Sequence, residues 1–255
     1  MLEVKNLEFS YNKVKTINNI NFKVRRQEFS CLLGANGSGK TTILKCLNKI
    51  LKKDSGFIKI DGTNLDQLTQ KQVARYISMV PQEHSVAFAY NVIDIVTMGI
   101  TPYLSFGKMP SKDDYDKAFE IMEKLDISYL TNRQYNELSG GEKQLVLIAR
   151  ALMQDTGYLI MDEPTSHLDF KNKNLIMREI KKLTKNSNTG VIMALHDPNL
   201  AMKYCDRVII VKEGNIMADG DTEEIMTGHN LGRAYDIDIK INEKARGIEI
   251  ALPEV

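Results

Sequence analysis

Nine consecutive residues constrain this chain more than any other feature: Gly34-Ala35-Asn36-Gly37-Ser38-Gly39-Lys40-Thr41-Thr42. They satisfy G-x-x-x-x-G-K-[ST], a loop whose glycines let backbone N–H groups turn inward around phosphate oxygens. Glu28 to Leu33, just before it, reads as a short buried strand, and Thr42 to Leu47 carries apolar residues at helical spacing. Strand, glycine-rich turn and helix together aim a helix N-terminus at the anion. In that setting Lys40 reaches the β- and γ-phosphates of a nucleotide and the Thr41 hydroxyl sits on Mg²⁺. Glycine-rich turns before helices are common in α/β proteins; the correctly placed Lys-Thr pair separates this one from them.

A loop of this kind needs a sheet around it. The 255 residues suffice for one large α/β domain or two small ones. A chain this long buries roughly three quarters of its unfolded surface, so its core needs neither metal nor disulfide. With 34 basic and 33 acidic residues and a net charge of +1, no bulk field favours nucleic acid or anionic lipid. Cys31, Cys46 and Cys205 lie far apart in apolar stretches and read as small buried hydrophobes in a reducing compartment. The twelve methionines are scattered, as gap-fillers in a core would be. Met1 to Lys5 lacks the apolar region of a signal peptide, and runs such as Gly190 to Leu195 are too short to span a bilayer. The expectation is a soluble chain.

The amino end reads as two strands, Leu2 to Tyr11 and Lys15 to Val24, around a turn at Tyr11-Asn12-Lys13. Gly56 to Ile60 adds a strand closed by Asp61-Gly62, Gln70 to Arg75 a helix, and Tyr76 to Val80 a strand stopped by Pro81-Gln82. Ser85 to Asn136 changes character: Ser111 is set to cap a helix carrying Ala118, Ile121, Met122 and Leu125 at helical spacing. This region reads as a helical insertion beside the sheet. Strand and helix then alternate: Asp155 to Met161, Lys171 to Leu183, Thr189 to Leu195, Pro198 to Tyr204, Arg207 to Val211. Such alternation predicts a mainly parallel sheet with helices on both faces. Glu213-Gly214-Asn215 is a hairpin-like turn, and from His229 one helix and one or two strands are expected at the domain edge.

Two further stretches carry chemistry. The apolar strand Tyr158 to Met161 ends in Asp162-Glu163, which its edge delivers to the carboxyl ends of the strands, where ligands bind. There Asp162 holds Mg²⁺, directly or through water, and Glu163 polarises the attacking water. A carboxylate pair that merely ends a strand is the plainer alternative. Leu138-Ser139-Gly140-Gly141-Glu142 opens a helix, so its free N–H groups form either a second anion cradle or an ordinary cap.

These three stretches resemble the ATPase subunit of an ATP-binding cassette (ABC) transporter, over nearly the whole chain. The resemblance implies a P-loop α/β core, a mainly parallel sheet flanked by helices, with an amino-terminal antiparallel β subdomain and an inserted helical subdomain. The expected division is 1–84 with 156–228 for the core, about 85–155 for the helical subdomain and 229–255 for an extension. It implies ATP and Mg²⁺ as ligands, held by Gly34, Asn36, Gly37, Ser38, Gly39, Lys40, Thr41 and Thr42, with Ser139, Gly140 and Gly141 as the family signature. It further assigns adenine stacking to Tyr11 and contact with Mg²⁺ and water to Gln82. His196 takes the γ-phosphate, and the loop Ser166-His167-Leu168-Asp169 meets a partner subunit. His167 stands where alanine is common. Without the family, Tyr11 is a strand tyrosine, Gln82 a turn residue and His196 a core histidine.

In this family two subunits pack head to tail, so each ATP lies between Lys40 of one and Ser139 and Gly141 of the other. Implied partners are a second copy, two membrane permease subunits and, indirectly, an external substrate-binding protein, with no nucleic acid. The implied location is the cytoplasmic face of the plasma membrane. Coupling would pass through the helical insertion, where Val86, Phe88 and Tyr90 either receive a permease helix or lie in the core. Thr97 to Leu104 and Phe106-Gly107 resemble ATPases importing iron–siderophore, haem, cobalamin or related chelates. Other importers and exporters remain alternatives. Soluble ABC ATPases of repair or translation are disfavoured, since a long coiled coil and a second cassette are both missing and the charge is near neutral.

Overall fold

In β1 (Leu2–Tyr11) and β2 (Val14–Val24), burial alternates along the strand, as a sheet with one face on the core requires. Their turn runs through Asn12 and Lys13, both with positive φ. β3 (Phe29–Leu33) is buried at every position, the mark of a central strand covered on both faces. It leads through the glycine loop into α1 (Lys40–Leu47). β4 (Ser55–Ile60) and the short β5 (Thr63–Asn64) complete a four-stranded antiparallel sheet in the order β2-β1-β4-β5. The computed structural model describes residues 1–82, 90–166, 168–242 and 247–250; Val86, Phe88 and His167 lie outside them.

α2 (Gln70–Val73) starts on a capping box between Thr69 and Gln72, and β6 (Ile77–Val80) follows. Three helices come next: α3 (Val92–Thr97), α4 (Lys112–Lys124) and α5 (Gly140–Met153). Ser111 caps α4 as expected, with Asp114 bonding back to its amide and hydroxyl. Val96, Ala118, Met122 and Val146 from these helices are fully buried, in one cluster with Val80 and Met161 of the sheet. The helical insertion therefore shares its core with the strands that carry the site.

β7 (Tyr158–Asp162) begins at the first apolar residue rather than at Asp155 as expected, because Asp155 takes a left-handed turn (φ 52°) before it. α6 (Phe170–Asn186), β8 (Gly190–Leu195), α7 (Pro198–Tyr204), β9 (Arg207–Lys212) and β10 (Asn215–Asp221) follow. Short α8 (Thr222–Ile225) precedes α9 (Gly228–Tyr235) and the hairpin β11 (Ile239–Asn242) with β12 (Gly247–Ile250), the helix and strands expected of the tail. The second sheet has the order β10-β9-β3-β8-β7-β6, parallel throughout except for β10 on β9.

Register then aligns the strand ends. Leu33 pairs with Leu195, Asp162 with Ala194, and Val80 with Met161. One or two residues further on, Gly34, Glu163, His196 and Gln82 all fall at the same carboxyl edge of the sheet, which is where open α/β sheets bind ligands.

Candidate active site

The loop after β3 is held from behind. A Cβ on Gly34 would sit 2.2 Å from the Val211 carbonyl oxygen and 2.8 Å from Ser38 Oγ, so only glycine fits there. Gly39 has φ 107° and carries the chain into α1 with no side-chain cap and no acid in the first turn. The free N–H groups of that turn keep their positive potential. Ser38 Oγ is buried and has no hydrogen-bond partner among the described residues, an acceptor-seeking hydroxyl inside a phosphate-type loop. Lys40 is 4% exposed; its ammonium donates to the carbonyls of Gly34 (2.8 Å) and Ala35 (2.9 Å). Burial pulls its pKa below the usual value, while Glu163 opposes the shift.

Thr41 Oγ1 donates to Asp162 Oδ1 at 2.9 Å, tying the first turn of α1 to the end of β7. Asp162 is 2% exposed, and burial pushes its carboxyl above the ordinary range against the Thr41 bond. Glu163 divides its two oxygens: Oε1 lies 3.6 Å from Lys40 Nζ, and Oε2 lies 3.3 Å from His196 Nδ1. Its backbone is left-handed (φ 47°), which costs a non-glycine residue about 1 kcal/mol. The carbonyl of Glu163 accepts from Ser166 N (3.2 Å) and Ser166 Oγ (3.0 Å), which hold that turn. Of these groups, Lys40, Thr41 and Glu163 line a cavity of about 370 Å³, together with Gln82, Asn36, Gly37, Gly39, Thr42 and Thr16.

The second candidate cradle stands on another element. Ser139 caps α5 in a capping box: Glu142 Oε2 accepts from Ser139 Oγ (2.6 Å) and Ser139 N (2.9 Å). Those bonds hold the Glu142 carboxyl below its ordinary value. A Cβ on Gly141 would approach Leu168 Cδ2 to 3.2 Å, whereas one on Gly140 would meet nothing within 4 Å among the described residues. Ser139, Gly140 and Gly141 do not line the cavity around Lys40.

Residues 17–166 match the family described as ABC transporter. The chain belongs to the ABC transporter family. Among its relatives, the "Probable iron chelatin transport ATP-binding protein" of Helicobacter pylori is 38% identical, covering 92% of this chain and 93% of its own. The hemin import ATP-binding protein of Bordetella avium is 37% identical, covering 82% of each. A solved chain described as a metal-chelate type ABC transporter, inward-facing, superposes with a TM-score of 0.85 at 29% identity over 98% of this chain and 97% of that one. A dimeric ABC cassette in a post-hydrolysis state with ADP and Pi gives a TM-score of 0.77 at 26% identity over 87% and 99%.

In this ABC cassette, then, the structure brings together the loop from Gly34 to Thr42 with Gln82, Asp162, Glu163 and His196. It leaves Tyr11 and the signature turn apart. Tyr11 is 44% exposed at the end of β1, its ring edge-on to Phe9 at 4.7 Å. Asp169 caps α6 by accepting from Asn172 N at 2.7 Å. Tyr90 is 39% exposed, and its carbonyl accepts from Tyr135 N. Thr16 of β2 borders the phosphate cavity although no sequence pattern singles it out. The signal is indirect: the Gly39 Cβ position lies 3.6 Å from the Thr16 carbonyl oxygen, so this part of β2 had to abut the loop. All three cysteines are buried and free, as expected; burial pushes the Cys46 thiol up to about 12.

Proposed function

We propose that this chain is the ATP-hydrolysing subunit of an importer that takes up a metal chelate of the iron–siderophore or haem type. Its ATPase activity belongs to the family. The reading of the site rests on one observation above others: Glu163 sits between Lys40 and His196 at the mouth of the phosphate loop. There its carboxylate can accept a proton from water while Lys40 and His196 stabilise charge on the transferred phosphoryl group. The loop glycines and the first turn of α1 bind and orient the triphosphate; Ser38 Oγ has a free donor for it.

For Mg²⁺ the fit is good. Thr41 Oγ1, the Asp162 carboxylate and Gln82 supply the hard oxygen donors that this ion prefers. Bound there, the ion would neutralise charge between the phosphates; Asp162 would hold it, and Thr41 would fix the distance between loop and strand.

Each site is completed by a second copy. Gly140 supports this: nothing among the described residues of its own chain requires glycine there, so the open space beside it suits a ligand carried on another subunit. The dimeric relative with ADP and Pi supports the same arrangement. We take 1–84 with 156–228 as the core, 85–155 as the helical subdomain facing two permease subunits, and 229–255 as an extension. No helix among the described residues is long and apolar enough to cross a membrane; as an importer's ATPase, the subunit would be held at the cytoplasmic face by its permease. The chelate assignment follows from the iron chelatin and hemin relatives. The test is to isolate the subunit with its membrane partners and screen ATPase stimulation by the external binding protein loaded with ferric siderophores or haem. Stimulation by one of these supports the reading. Response only to a non-chelate cargo would contradict it.

A further inference from the structure

The extension after β10 reaches the active site through the side chain of Tyr235. Tyr235, on the last turn of α9, donates its hydroxyl to the main-chain carbonyl oxygen of His196 at 3.1 Å. The helix bearing it is firmly seated. Leu231 is fully buried and Ala234 nearly so. Lys212 at the end of β9 donates to the Arg233 carbonyl (2.8 Å) and pairs with Asp236 (2.5 Å), which closes α9 in a left-handed conformation. His196 itself has little else to fix it. It follows Leu195, the last residue of β8, and precedes Asp197, which caps α7 by accepting from Asn199 N. Its side chain is 44% exposed, and its contact with Glu163 is long at 3.3 Å. A small rotation of the peptide after β8 would open that contact.

We propose that Tyr235 is a positioning residue for His196, and that α9 is a brace holding the loop after β8 at the distance from Glu163 that hydrolysis needs. The proposal rests on the reading of Glu163 and His196 given above. It assigns a role to a segment that none of the nucleotide motifs covers. Tyr235 does not line the cavity around Lys40, and its hydroxyl bonds to the His196 carbonyl, so it acts through His196. Burial pushes the phenol well above its usual pKa, so it remains a donor across the working pH range.

The test compares Tyr235→Phe, which removes the donor and keeps the ring, with His196→Ala and the double variant, in the full chain. Tyr235→Phe is expected to lower kcat about five- to tenfold, the size one lost hydrogen bond can transmit, with ATP affinity within about twofold. It should change nothing further in the His196→Ala background, since both act through one group. Hydrogen exchange at residues 196–200 should quicken in Tyr235→Phe, a readout that does not depend on turnover. Lys212→Met, which frees the end of α9 while leaving the tyrosine in place, should move both readouts in the same direction and serves if Tyr235→Phe folds poorly. Wild-type kcat in Tyr235→Phe beside a crippled His196→Ala would overturn the brace, as would unchanged exchange. Full turnover in His196→Ala would overturn the reading of His196 and the brace's catalytic role with it.

Discussion

His196 Nδ1 lies 3.3 Å from Glu163 Oε2, and the pairing of Asp162 with Ala194 on neighbouring strands brings the two residues to the same sheet edge. With Lys40 3.6 Å from the other oxygen, the carboxylate is held between two nitrogen groups. Glu163→Gln keeps the shape and removes the base. We expect kcat to fall at least about 100-fold, the usual worth of a general base, while ATP stays bound and dimers accumulate. Single-turnover hydrolysis and size-exclusion chromatography in ATP check this; a fully active variant would mean the base is another group.

Lys40→Ala should weaken ATP binding about 30-fold or more, because truncating a buried, charged hydrogen-bonding partner costs about 2–5 kcal/mol of affinity. Equilibrium binding of a fluorescent ATP analogue measures it. Unchanged affinity would contradict the assigned phosphate contact.

Thr41→Val keeps the shape of the side chain and removes the donor to Asp162, leaving a buried carboxyl without that partner. The nucleotide-free protein should lose about 1–3 kcal/mol by urea denaturation. A neutral result would show that Asp162 finds another donor.

Ser139→Ala tests the signature turn through pH. Glu142 has its carboxyl lowered by the Ser139 hydroxyl and amide, so that contribution to stability is complete above the unfolded value of about 4.3 and is lost as pH falls through the folded one. Losing the cap costs about 1 kcal/mol. The stability gap between wild type and variant should therefore be full at pH 7 and narrow below about pH 4. Thermal melts across that range decide it; a gap that widens in acid would reverse the sign.

Much of the site was legible because its parts are local. Gly34 to Thr42, Asp162-Glu163 and Ser139 to Gly141 are each a short local stretch, marked by glycines or by a strand-ending acid. The capping of α4 by Ser111 and the alternation in β1 are equally short-range. What sequence did not yield depends on register and on contacts between distant segments. Thr16 reaches the cavity only because β2 abuts the phosphate loop, where Gly214 N donates to Ser38 O and Asn18 N to Gly214 O. The left-handed turn at Glu163 carries no glycine to announce it, since Ser166 stabilises it from three residues on. The Tyr235 contact joins two elements with no shared periodicity.

The central claim is that each ATP is held by Lys40 of one chain and Ser139 of another. It is tested most directly by mixed dimers of Glu163→Gln chains, in which bound nucleotide is counted. With Lys40→Ala on one chain and Ser139→Arg on its partner, both lesions fall in the same site, and one nucleotide per dimer should be retained. With both substitutions on one chain and none on the other, each site is damaged, and the ATP loaded by the one intact loop should exchange out on a chase, leaving none retained. Equal retention in the two arrangements would contradict the shared site.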